Sequence, residues 1–189
     1  MTAPRIASRA PRLLAAAALL LGASALGACS AQPGIAATSS YTGLDGVTRS
    51  TTITEKELQR TAEELKPLNW PVARTLTLLV SADLIEEAGA AQGLTVSDEQ
   101  IDVLLDDQVG KGEHSAQARR AMRATYLYGL ISKPGQGGID ATRAAQALGD
   151  IQRINGAADI KVSPRYSSAR PWILEPSAAQ RGAQQPAAR

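Results

Sequence analysis

The chain has no phenylalanine, one cysteine, one histidine and only 3% aromatic residues in 189 positions. A single cysteine excludes an intramolecular disulfide framework and any four-cysteine zinc site. A single histidine excludes HExxH and every other site built on paired imidazoles. Large single-sign charge is missing as well. The formal net charge is +2, but Arg5, Arg9 and Arg12 stand in the first 28 residues without an acid. The remainder holds 17 bases and 18 acids. A near-neutral body argues against nucleic acid, whose affinity comes mainly from basic groups that neutralise phosphates. What the chain has in plenty is alanine, 35 residues of it.

The N-terminus carries an address. Arg5, Arg9 and Arg12 form a positive region, and Leu13 to Leu21 is apolar but too short for a bilayer-spanning helix of about 20 residues. Leu26, Gly27 and Ala28 precede Cys29 and match the bacterial lipobox, in which the cysteine receives a thioether-linked diacylglycerol. Residues 1–28 are therefore expected to be a lipoprotein signal peptide. Cys29 is the expected lipid anchor, with the mature chain on the extracytoplasmic face of the membrane. Two or more acyl chains, at roughly 0.8 kcal/mol per buried methylene, hold such an anchor stably.

Residues 29–40, rich in Ser, Ala, Gly and Thr, read as a flexible tether. Asp45-Gly46 lies between Tyr41–Leu44 and the threonine-rich Val47–Ile53, which predicts a hairpin. Thr54 with Glu57 forms a capping box for a first helix, which ends before Pro67. A second helix runs from Pro71 to about Gln92 and stops at Gly93. It is apolar around most of its circumference, the pattern of a helix with neighbours on several sides. Ser97 with Gln100 caps a third helix bearing Ile101, Leu104, Leu105 and Val109. Ser115 caps a fourth, and Asp140 a fifth that closes at Asn155-Gly156. Asp159–Ser163 alternates like a half-buried strand and halts at Pro164. The expected fold is mostly α, about five helices, with a small β element pairing the N- and C-terminal strands. The economical pairing joins the strand near residue 50 to the one near 160. The folded domain spans 41–168, and 169–189 reads as a disordered tail in which Trp172-Ile173-Leu174 is the one apolar run.

Catalytic equipment is sparse. His114 precedes a helix and reads as a solvated loop or capping residue, and no GxSxG accompanies it. Asp102 and Asp106 share a helix face near Asp98, Glu99 and Asp107, but EF-hand spacing is absent. The glycines at 110–112 and 135–138 lack Walker spacing. No enzyme class, metal or cofactor is expected. Charge is polarised along the chain: Thr51–Val109 carries a net of −8 and Gly110–Arg189 a net of +7. Either the halves attract each other within one fold or lie solvated, or Arg119, Arg120 and Arg123 face an anionic partner such as lipid headgroups.

Three segments carry a family likeness: Ile53–Leu58 (ITEKEL), Leu84–Leu105 (LIEEAGAAQGLTVSDEQIDVLL) and Ala158–Tyr166 (ADIKVSPRY). Over about Tyr41 to Tyr166 the chain resembles the N-terminal domain of SurA-type and foldase-type envelope chaperones. More closely, it resembles the short actinobacterial lipoproteins that carry this domain alone. Family members often read Asn-Pro-Arg-Tyr-Gly-x-Trp-Asp at the closing strand, where this chain has Ser163-Pro164-Arg165-Tyr166-Ser167-Ser168. The resemblance implies a holding chaperone for unfolded or extended secreted polypeptides, with Pro164, Arg165 and Tyr166 closing the domain. Full-length relatives add a parvulin domain, for which the 23 residues after Tyr166 leave no room. Such binding needs an apolar groove with a polar rim. The candidate lining is Leu76, Leu79, Val80 and Leu84 on the second helix with Met122, Tyr126 and Leu130 on the fourth, all of which would serve equally as core. The rival expectation is a structural or adaptor lipoprotein that binds one folded partner.

Overall fold

The structure is a computed structural model that describes residues 33–135 and 139–166. Two strands open it, β1 (Ile35–Thr42) and β2 (Thr48–Thr54). Five helices follow: α1 (Glu55–Glu64), α2 (Val72–Ala91), α3 (Asp98–Gln108), α4 (Ala116–Ser132) and α5 (Ala141–Ala157). Strand β3 (Asp159–Val162) and a 3-10 turn, Pro164–Tyr166, end the described chain, and another 3-10 turn, Lys66–Leu68, follows α1. The fold is mostly helical with one small antiparallel sheet of order β2-β1-β3.

That order corrects two expectations. Ile35 to Ser40 is no tether but most of the central strand. Nor do β2 and β3 pair with each other: Ser39 faces Thr51 on one side and Ile160 on the other, and Ala37 likewise faces Ile53 and Val162. The clasp between chain ends exists, with β1 as its middle layer. Small residues explain both the linker-like sequence and the structure. Ala36, Ala37 and Ser39 are buried beneath the helices, where larger side chains would hold the sheet away from α2 and α5. A strand with a ladder on each side needs little intrinsic β-propensity. The Asp-Gly hairpin is present. Gly46 N–H donates to Gly43 carbonyl at 3.1 Å with φ +79° at Gly46, and Gly43 N–H donates to Val47 carbonyl at 2.9 Å.

The helix boundaries follow their caps. Thr54 Oγ1 accepts from Glu57 N–H while the Glu57 carboxylate accepts from Thr54 N–H, and Ser97 and Gln100 repeat the exchange on α3. Ser115 and Asp140 cap α4 and α5. Gly93, at φ +74°, closes α2: its N–H reaches Ala90 carbonyl and Leu94 N–H reaches Gly89 carbonyl, both at 2.9 Å, a Schellman motif. Asn155-Gly156 does not close α5, which continues to Ala157.

Helix α2 is the axis of the body. It packs against α1, α4, α5 and the sheet, so its apolar residues find partners in every direction. Among the described residues no helix is long and apolar enough to cross a membrane. The closing turn docks on α1: Arg165 Nη1 reaches Glu55 Oε2 at 2.9 Å, and Gln59 Nε2 donates to Tyr166 Oη at 3.1 Å.

Candidate functional site

Of the seven candidate binding residues, four are core. Leu76, Leu79, Val80 and Leu84 are buried inside the cluster that α2 organises and offer no surface to a ligand. A mostly apolar helix signals enclosure without saying which neighbours enclose it, and here these four side chains are covered on every side. The other three come together. Met122, Tyr126 and Leu130 recur at i, i+4 and i+8 on α4 and line an open groove of about 300 Å³. Leu104 and Gln108 of α3 line it from the other side, and Trp70 and Lys133 complete the lining. Met122 is nearly buried at the base, Leu130 is half-buried, and Tyr126 is 41% exposed.

Trp70 and Gly129 line the groove without a sequence pattern that marks them. Trp70 looks like part of a turn, which it is: Asn69 adopts φ +54° and Pro71 precedes α2. That turn carries the indole out to the groove, where the Arg74 guanidinium lies 4.6 Å from its ring centroid. Gly129 lies mid-helix, one turn after Thr125, and a Cβ there would meet nothing within 4 Å. Glycine inside a helix costs roughly 1 kcal/mol relative to alanine. At this position the missing side chain leaves the groove wide.

The polar candidates resolve into internal pairs. His114 is not a solvated loop residue; it is only 7% exposed and is held between two carboxylates. Its Nε2 lies 3.1 Å from Asp106 Oδ1 and its Nδ1 3.6 Å from Glu64 Oε1. The Glu64 oxygen also accepts Ser115 N–H at 2.9 Å, and Ser115 Oγ is occupied as the cap for Ala118 N–H. Arg119 meets Asp102 at 2.6 Å and Arg120 meets Asp83 at 2.7 Å. Arg123 pairs with Asp98 and lies 3.8 Å from Glu86. The hydrogen bond from Arg119 holds the Asp102 carboxyl below the usual carboxylate range. All three arginines of the cluster thus answer acids from the other half of the chain rather than forming a free cationic face. Among the described residues no group of three or more His, Cys, Asp or Glu side chains is placed to hold a metal ion. The lipobox residues Leu26, Gly27 and Ala28, the anchor Cys29, and Trp172-Ile173-Leu174 lie outside the described residues. Comparison with protein-family models, with curated proteins and with solved structures gives no match for this chain.

Proposed function

We propose that this chain is a lipid-anchored protein of the cell envelope. Its helical domain, of the SurA N-terminal type, holds extended segments of unfolded secreted polypeptides without catalysis and without a cofactor. The observation that supports the reading best is the open groove between α3 and α4. Trp70 and Tyr126 present aromatic surface there, and Gly129 leaves the space a side chain would fill. A volume of about 300 Å³ admits one or two client side chains and is far too small to seat a folded domain.

Apolar burial of that size, at about 2 kcal/mol for each side chain inserted, leaves weak and rapidly exchanging binding once association costs are met. Such binding suits a holding role. The anchor rests on Leu26-Gly27-Ala28-Cys29, whose acylation would keep the groove at the membrane where secreted chains emerge unfolded.

The direct experiment is aggregation of a chemically unfolded secreted protein diluted into buffer with the full chain. Suppression of light scattering at stoichiometric excess, against several unrelated clients, is expected. No effect at tenfold excess, together with recovery of one stoichiometric folded partner after crosslinking, would replace this reading with that of an adaptor lipoprotein.

A further inference from the structure

The last described residues run along α1. Arg165 Nη1 reaches Glu55 Oε2 and, one residue on, Tyr166 Oη accepts from Gln59 Nε2. Glu55 and Gln59 are about one helical turn apart, so successive contacts of the closing turn step toward the C-terminal end of α1. In that direction lies a hollow of about 440 Å³, open to solvent, and Gln59 is the first residue of its lining.

The hollow follows from the local sequence. Gln59, Ala62, Glu63 and Lys66 fall at i, i+3, i+4 and i+7, so α1 and the 3-10 turn after it present them together. Beyond the left-handed Asn69, Trp70 and Val72 contribute the rest of the apolar lining. Ala62, Trp70 and Val72 are each only half-buried, which leaves apolar surface facing the space. Glu63 and Lys66, paired at 3.0 Å and both largely exposed, supply its charges.

The sequence holds one segment that fits. Trp172-Ile173-Leu174 lies outside the described residues and begins six positions after Tyr166. Three large apolar residues in a row are rarely given to water without a use. Six residues span up to about 20 Å when extended, whereas Gln59 and Lys66 are separated by about 10 Å along the helix axis. The run therefore reaches the whole hollow with slack to spare. Its flanking charges also agree in order. A chain moving along α1 from Gln59 brings Arg170 first toward Glu63 and Glu175 last toward Lys66. Exposed pairs of this kind fix direction more than affinity.

We propose that Trp172-Ile173-Leu174 folds back into this hollow within the same chain, with the Trp172 indole against Ala62, Trp70 and Val72. Trp70 also lines the groove at Tyr126, so the docked segment holds in place an indole that client binding would use. The docking stands whether or not that groove holds clients.

Trp70 and Trp172 are the two tryptophans of the chain, so fluorinated tryptophan gives the full chain two fluorine resonances, which Trp172→Phe assigns. In the native protein the Trp172 resonance is expected away from its position in the urea-unfolded chain and shielded from a dissolved paramagnetic agent. Ile173→Ser in the segment and Ala62→Gln in the hollow should each return it to the unfolded position and abolish the shielding. Ile173→Ser alters no described residue, so its effect reports docking even where Ala62→Gln lowers the melting temperature. A Trp172 resonance at the unfolded position in the native protein, or one that either substitution leaves in place, would overturn the proposal. So would a return to the unfolded position on dilution, which would assign the contact to a second copy of the chain.

Discussion

His114 Nε2 stands 3.1 Å from Asp106 Oδ1 across the turn between α3 and α4, and the opposite ring nitrogen faces Glu64 of α1. One imidazole thus ties three helical segments together. Replacing it by alanine leaves a cavity and deprives the half-buried Glu64 carboxylate of a neighbour. His114→Ala should therefore lower stability by about 2 kcal/mol in chemical denaturation. Asp106→Ala, which removes a more exposed partner, should cost about 1 kcal/mol or less. A His114→Ala loss within about 0.5 kcal/mol of zero, the range of an ordinary surface change, would show that the histidine is incidental.

Ser39 occupies the middle of the middle strand, facing Thr51 and Ile160. Proline there removes a ladder donor and brings a ring into a buried position. Ser39→Pro is expected to cost about 3 kcal/mol or more and to prevent cooperative folding, seen as loss of the thermal transition by circular dichroism. A tether would tolerate the same change without effect.

Arg120 and Asp83 meet at 2.7 Å, and Thr51 Oγ1 donates to the same carboxylate at 2.8 Å. A double-mutant cycle on Arg120→Ala and Asp83→Ala should give a coupling of about 0.5–1 kcal/mol that shrinks in high salt, since both groups are partly exposed. Zero coupling at low salt would mean the two halves of the chain gain nothing from their opposite charge at this contact.

Tyr41 is held protonated by burial first and by the charges of Asp83 and Glu87 second, which push its hydroxyl from 10.0 up to about 12. In the unfolded chain the phenol ionises near 10, so between pH 10 and 12 the folded state binds the extra proton. Stability therefore falls as pH rises through that window. The difference between wild type and Tyr41→Phe isolates this group. The variant is expected to lie within about 1 kcal/mol of wild type at neutral pH, since the hydroxyl it loses is buried beside the Glu87 carboxylate. It should also lack the alkaline decline that wild type shows. Parallel curves for the two proteins from pH 9 to 12 would contradict the assignment.

Helices were legible because their ends are written locally. Thr54 with Glu57, Ser97 with Gln100, Ser115, Asp140 and Gly93 each terminate a backbone segment through neighbours three or four residues away. Strand β1 was not legible, since Ala, Ser and Thr suit a linker as well as a tightly packed central strand, and its partners lie far along the chain. The groove was half legible. The spacing of Met122, Tyr126 and Leu130 marks a stripe on α4, but periodicity cannot separate a stripe that faces a groove from one that faces core. Trp70 reaches the groove through a left-handed Asn69, and Gly129 contributes by what it lacks. His114 could not be placed because Glu64, one of its two partners, lies fifty residues earlier.

The proposed function turns on the space left open beside Gly129. Leucine at this position suits a helix better than glycine and would meet no atom at its Cβ, so Gly129→Leu should fold at least as well as wild type while filling the groove. The decisive measurement is the affinity of an unfolded, aromatic-rich polypeptide for the full chain, wild type against Gly129→Leu, by fluorescence anisotropy. A fall of about tenfold or more in the variant, with an unchanged melting temperature or a higher one, is the result expected. Equal affinity in the two proteins would place client binding elsewhere or deny it altogether.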